Sequence, residues 1–263
     1  MPSLEDNKIK WGTTHAWTHH GDEWSEAWGG AAMQWHSMIL PRIHRFLPTK
    51  RIIEIAPGHG RWTQFLCKYT DELIIVDLSE NCIDVCKKRF SDLNNIYYHV
   101  SDGKSLSMVP DNAIDFIFSF DSLVHADDDV MEHYICEISK KISQDGVAFI
   151  HHSNLGEYGF QLRLSKIPKL RAALRLIGVL EKSFHWRSPS MTGRKMIDFS
   201  AACGLRCISQ ELVNWGTKSM LIDCFSTIVR EDSKWIRNIK IMRNNLFMRD
   251  AERTKLLSSL YCD

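Results

Sequence analysis

Up to Pro48 the chain shows no regular spacing of apolar residues, and after it a strict rhythm begins. RIIEIAP reads as a short buried strand, RWTQFLCKY as an amphipathic helix and LIIVD as a second strand. SENCIDVCKKRF is the next helix, with Ser79 as its cap. NIYYHV and AIDFIFSF follow as strands, VMEHYICEISKKI as a helix and GVAFIHH as a fifth strand. Such alternation predicts βαβ units and a parallel sheet with helices on both faces. The unbroken apolar character of LIIV and FIF fits strands buried on both sides. Beyond residue 155, LRCISQELV and LIDCFSTIVR are two further strands whose short link allows antiparallel pairing, and Asp232 to Leu260 reads as a helical tail. The expected fold is α/β, a doubly wound, mostly parallel seven-stranded sheet with one antiparallel strand near the C-terminus.

The flanks of this core differ from it. Residues 1–48 hold Trp11, Trp17, Trp24, Trp28 and Trp35, five of the nine tryptophans, together with several histidines. Asp22 is placed to cap a helix from about Glu23 to Phe46, bent near Pro41. This segment is expected to form a helical lid over residues 49–263. Within the latter, residues 156–195 gather Arg163, Lys166, Lys169, Arg171, Arg175, Lys182, Arg187, Arg194 and Lys195 against only Glu157 and Glu181. This basic stretch is either a solvated helix face or a cap over a bound acceptor.

Composition narrows the function. A formal net charge of +1 in 263 residues gives no global attraction to nucleic acid or an anionic surface. No apolar run reaches the roughly 18 residues of a membrane span, and the first residues lack a secretory pattern, so a cytoplasmic location is expected. The eight cysteines include no C-x-x-C pair and read as small apolar residues in a reducing compartment, with no disulfide needed at this length.

The chemistry gathers at strand ends. EIAPGHG is a glycine-rich turn between a strand and a helix, which lets backbone approach a ligand closely. Asp77 ends the second strand, where an acid can accept hydrogen bonds from both hydroxyls of a ribose. SDG follows the third strand and FSFDS the fourth, so four successive carboxyl ends carry small or polar residues. A dinucleotide fingerprint would need a third glycine where Thr63 stands.

With these motifs the chain resembles the class I S-adenosylmethionine-dependent methyltransferases over about Lys50 to Leu155. EIAPGHG matches their glycine motif with Ala56 in place of the first glycine. The resemblance implies S-adenosylmethionine as cofactor, with Glu54, Gly58 and Gly60 shaping its methionine end. It further implies Asp77 and Leu78 at the ribose, Asp102 and Gly103 near the adenine, and Ser119 and Phe120 as the floor.

A hydroxyl acceptor must lose a proton during methyl transfer, and histidine suits that task near neutral pH. DSLVH resembles the S-L-x-H loop of sugar and small-molecule O-methyltransferases, which implies that His125 faces the acceptor. That family also places a polar partner after strand five, matching His151 or His152. Alternation turns these two apart, so one of them is expected in the pocket, with His152 slightly preferred. Trp28, Asp121, Trp186 and Arg187 are the expected acceptor contacts. An aspartate-held magnesium ion is the alternative to a metal-free mechanism, and the metal-free one is preferred. The basic stretch suits a phosphate or carboxylate, so the expected partner is a small, anionic acceptor and not nucleic acid. The expected activity is O-methylation of a sugar or phosphate-type group on a nucleotide-linked intermediate, as in capsule or other surface-polysaccharide synthesis. A phosphoramidate precursor is one such acceptor. The alternatives are a secondary-metabolite methyltransferase or a catalytically silent partner subunit.

Overall fold

The computed structural model describes residues 3–167, 176, 184, 186–216 and 220–261. The strands are β1 (Thr49–Ile55), β2 (Thr70–Asp77), β3 (Ile96–Val100), β4 (Ile114–Ser119), β5 (Ile142–Ser153), β6 (Leu205–Val213), β7 (Asp223–Arg230) and β8 (Lys240–Asn244). They form one sheet in the order β3-β2-β1-β4-β5-β7-β6-β8. Only β7 runs against its neighbours: it pairs antiparallel with β5 and β6, while every other pairing is parallel. The expected doubly wound α/β sheet with one antiparallel strand is therefore present, with eight strands in place of seven.

The eighth strand comes from the tail, which the sequence pattern gave as one helix. Lys240–Asn244 instead pairs with β6, and only Phe247–Tyr261 is helical. The strand is short, charged and exposed, as edge strands that avoid further pairing tend to be, so it carries no apolar run to betray it.

Side-chain alternation divides the core into two layers. Ile52, Phe116, Phe118 and Phe149 face one side, with Trp35, Ile39 and Phe247 packed on them. Ile53, Ile55, Ile117 and Ile150 face the other, against Met131, Ile135 and Ile138 of the helix Asp128–Lys141 and Met196 of the helix Gly193–Ala202. These last two helices lie side by side, and Cys136 of the first forms a disulfide with Cys203, just past the second. This corrects the expectation that no disulfide is present. The partners are 67 residues apart in sequence, and only packing on one sheet face makes them neighbours.

The N-terminal flank also departs from expectation. Gly29 and Gly30, at φ +88° and +115°, interrupt the expected long helix, leaving short helical pieces from Asp22 to Phe46. Gly21, not Asp22, stands at the cap. Trp28 and Trp35 are 2% and 0% exposed, so this half of the segment packs into the core.

Gly60, the last glycine of the turn after β1, has φ +86°, and a Cβ there would lie 2.5 Å from Phe90 Cε2. Gly60→Ala is expected to lower the unfolding free energy by about 1–3 kcal/mol, read from the urea midpoint.

Candidate active site

A cavity of about 650 Å³ opens at the carboxyl ends of β1, β2 and β4. Gly58, Asp77, Leu78 and Gly103 line its cofactor end, and Phe120, Asp121, His125, Trp186 and Arg187 line the rest, each an expected site residue. The turn after β1 puts Gly58 at φ +59°, and a Cβ there would come within 2.8 Å of Trp17 Cη2. Backbone alone fits at this point. Asp77 accepts the Gly58 N–H (3.1 Å) through one oxygen and the Ser79 N–H (2.8 Å) through the other. Burial pushes its carboxyl up to about 6 despite these bonds.

Other expected site residues stand behind the wall. Glu54 is fully buried; the Thr63 hydroxyl donates to its Oε2 (2.6 Å), while Oε1 has no hydrogen-bond partner among the described residues. Desolvation lifts this carboxyl to about 8. An unsatisfied buried acceptor beside a glycine turn and an acid at the end of β2 fit S-adenosylmethionine. Asp77, which lines the cavity, would hold its ribose hydroxyls, while Glu54 stands behind the glycine turn. Gly60 packs against Phe90, and Ser119 donates to the Ile55 carbonyl (3.0 Å), so both brace the turn from outside the cavity. Asp102 is turned away: its carboxylate accepts the Lys104 and Ser105 N–H groups (2.9 and 2.7 Å), which hold it below the ordinary range. Gly103 alone of that pair reaches the cavity.

Three expectations for the acceptor end need correction. Trp28 lies in the core against Trp215 and Phe247, at ring distances of 5.3 and 5.7 Å, because the Gly29–Gly30 break turns it inward. His152 faces the opposite layer from the cavity, where its Nε2 meets Ser226 Oγ (2.8 Å) and its Nδ1 the Ser153 carbonyl (2.9 Å). Burial depresses its pKa to about 4. His151 points to the cavity side but is covered by Phe120, Trp215 and Phe225, and it is 0% exposed. Its Nδ1 accepts the Asp121 N–H (3.0 Å), and its Nε2 lies 3.2 Å from Asp223 Oδ2. It supports the loop after β4 without reaching the cavity.

His125 does reach it. The residue follows β4 in a single 3₁₀ turn, Leu123–His125, and Trp11 stacks on its ring at 5.0 Å. Its Nδ1 lies 3.0 Å from the Trp186 carbonyl oxygen. A carbonyl only accepts, so Nδ1 carries the hydrogen and Nε2 keeps a free lone pair. Burial, with help from Arg187, lowers the pKa to about 4, so the ring is neutral at pH 7.

Below the cavity, Asp121 is gripped by Arg61 (2.9 Å) and Arg187 (3.1 Å), and Arg187 is also paired with Asp223 (2.9 Å). Burial works against both carboxylates, yet the guanidiniums outweigh it and hold Asp121 and Asp223 below the ordinary range. Arg187 is thus committed to protein carboxylates, not presented to an acceptor. The other aspartates of this region are engaged too: Asp127 with Ser188 and Ser190, Asp128 with Lys195, Asp129 with Lys104. Among the described residues no group of three acidic, histidine or cysteine side chains is arranged for a metal ion. In the basic stretch, Arg194 pairs with Asp198, while Lys169, Arg171, Arg175 and Lys182 lie outside the described residues.

Sequence reasoning missed Arg61, Asp223, Trp215 and Tyr134. Arg61 directly follows the glycine turn, and Asp223 is an acid inside the apolar run LIDCFSTIV, which is the signal that marks it. Trp215 and Tyr134 carry no comparable signal. Trp11, Trp17 and Trp24, from the first half of the N-terminal segment, line the cavity.

The Glu54 carboxyl gives a test by linkage. Its folded value of about 8 exceeds its ordinary 4.5, so the stability it contributes is fully present below about pH 4.5 and is lost as pH rises through about 8. Urea unfolding without cofactor between about pH 6.5 and 8 should show a falling stability in wild type and a flatter profile in Glu54→Gln.

Known proteins place this geometry. Residues 52–146 match the family model described as a methyltransferase domain. Phosphoethanolamine N-methyltransferase 1 of Triticum aestivum is 28% identical over 124 residues, 45% of this chain and 25% of that protein. Its namesake in Caenorhabditis elegans is 25% identical over 114 residues, 43% of this chain and 23% of that one. The matched segment thus spans about a quarter of these relatives. A solved protein from Pyrococcus horikoshii OT3 superposes with a TM-score of 0.54 at 18% identity, covering 75% of this chain and 88% of the other. A SAM-dependent methyltransferase from Methanosarcina mazei gives 0.53 at 13%, covering 72% and 97%. At such identities these two speak for the fold alone. Residues 52–146 thus match a methyltransferase domain, and they do so within a sheet whose fold is shared with solved methyltransferase structures.

Proposed function

We propose that the chain transfers the methyl group of S-adenosylmethionine to a hydroxyl oxygen of a small polar acceptor, with His125 as proton acceptor. The observation that carries this reading is the Trp186 carbonyl on Nδ1, which leaves the Nε2 lone pair of a cavity-lining imidazole unprotonated at neutral pH. When bound, S-adenosylmethionine supplies a methyl carbon on a positively charged sulfur, and S-adenosylhomocysteine is left behind. The acceptor oxygen forms the new bond to that carbon as its proton passes to His125 Nε2. Burial and the charge of Arg187 disfavour the imidazolium, so the proton moves on to solvent.

The acceptor is read as anionic. Lys8 and Lys10 line the cavity, and neither enters an ion pair among the described residues, whereas Arg187 is already neutralised. The S-L-x-H resemblance at Ser122–His125 favours a sugar or phosphate-type group on a nucleotide-linked intermediate of surface-polysaccharide synthesis. A cytoplasmic site of action follows from that reading. A second reading, transfer to an amine, is favoured by the names of the two plant and nematode relatives. The indoles of Trp11, Trp17, Trp24 and Trp186 around the cavity also suit a cationic nitrogen.

Purified protein incubated with S-adenosylmethionine and a panel of nucleotide-sugars, phosphorylated metabolites and phosphoamines is expected to release S-adenosylhomocysteine with an anionic acceptor. A preference for uncharged acceptors would remove the part given to the lysines. His125→Ala should lower kcat by about 10²–10⁴ while calorimetry shows cofactor binding intact. Unchanged turnover in that variant would end the proposed role.

The pH profile separates the two readings. With a hydroxyl acceptor, kcat/KM should be level from about pH 5 to 8 and fall only as His125 protonates near 4. With an amine it should climb about tenfold per pH unit towards the amine's own pKa.

A further inference from the structure

We infer that Arg187 is a positioning residue: by gripping Asp121 and Asp223 together it holds the Trp186 carbonyl against His125 and so fixes which ring nitrogen faces the acceptor. This rests on the reading of His125 as proton acceptor.

Residues 186–188 are joined to the loop after β4 at three points. The Trp186 carbonyl meets His125 Nδ1 (3.0 Å), Ser188 N–H donates to the Val124 carbonyl (3.0 Å), and Arg187 Nη2 donates to Asp121 Oδ1 (3.1 Å). A separate anchor ties them to β7, where Arg187 Nε and Nη2 donate to the two oxygens of Asp223 (3.1 and 2.9 Å). The Trp186 side chain is 45% exposed, so it is not the anchor of its own backbone; its buried neighbour, 7% exposed, is. Both Trp186 and Asp121 hold the left-handed conformation, at φ +60° and +61°. Bulky or acidic residues keep that conformation only where their surroundings impose it. One guanidinium links the two.

The geometry requires arginine. Its planar fork meets Asp223 with two N–H groups and Asp121 with Nη2 at once, while its face lies 5.2 Å from the Trp215 ring. An ammonium is a point charge without that fork. The same arrangement sets the charges around His125: Arg187 from the basic stretch, Asp121 from the loop after β4 and Asp223 from β7. Trp11 covers the ring from the N-terminal segment without adding charge.

The test combines nitrogen NMR of the histidine rings, calorimetry with S-adenosylhomocysteine and steady-state kinetics on wild type, Arg187→Lys and Arg187→Met. In wild type at pH 7, His125 is expected wholly as the Nδ1–H tautomer. In Arg187→Met the tautomers should mix and the ring should titrate closer to its ordinary value. There kcat should fall about 10²-fold, the scale of a misplaced catalytic group, with S-adenosylhomocysteine affinity held within about twofold. Arg187→Lys keeps the charge and loses the fork, so a smaller fall of about tenfold is expected. An unaltered His125 tautomer and kcat in either variant would overturn the inference, and Arg187→Lys decides alone if Arg187→Met does not fold. The two readings fail differently. Absence of turnover in wild type removes the role of His125, whereas an unchanged tautomer in the variants removes only the role of Arg187.

Discussion

Two buried carboxylates and two buried guanidiniums neutralise one another beneath the cavity, and the acceptor end of the site hangs on that balance. Asp223, Arg61 and Arg187 are buried and Asp121 is half-buried at the cavity wall, and their mutual pairing makes that burial tolerable. Removing Asp121 strands Arg61 and removing Arg187 leaves Asp223 without its guanidinium, and such losses in buried ion pairs cost about 3–5 kcal/mol. The four groups are therefore linked into one network: the residue after the glycine turn supplies one member, the β4 loop another, the chain at 187 the third and β7 the fourth. Three of those residues, Arg61, Asp121 and Arg187, also line the cavity, so the charge balance ties its walls to one another and to β7.

The cofactor end obeys a different rule. Glu54 and Asp77 are acids buried with too little compensation, and both are driven towards their protonated forms. Burying such groups is costly without a partner, and a cationic or hydroxyl-bearing ligand would offset that cost. One end of the cavity is thus finished without a ligand, while the other gains its last partners from one.

Much of this was legible beforehand because alternation is a local property. The runs IIEI, LIIVD and FIFSF carried enough signal to place the sheet, its carboxyl edge and the residues at each strand end. Alternation also said that His151 and His152 diverge. Which one meets the cavity side depends on register, with His151 opposite Phe225 and His152 opposite Cys224, and register is not a local property. The same limit hid Trp28, whose direction is set by two glycines and by Trp215 from the far half of the chain. It also hid the Cys136–Cys203 bond, which exists only once two helices share a face. Strand β8 escaped notice because a charged edge strand lacks the apolar pattern by which strands are found.

The reversed direction of β7 has a consequence for how such a site can diversify. Running opposite to its neighbours, the strand brings its first residue, Asp223, beside Ser153 at the edge where the parallel strands finish. Trp215, just past the end of β6, lines the cavity from the same region. Acceptor-side groups from beyond residue 185 therefore converge on a pocket whose cofactor side is set by residues 54 to 134. Sequence drift in the later half can remodel one side of the pocket while the glycine turn and Asp77 stay untouched. A single flipped strand makes the two sides of the pocket separately variable.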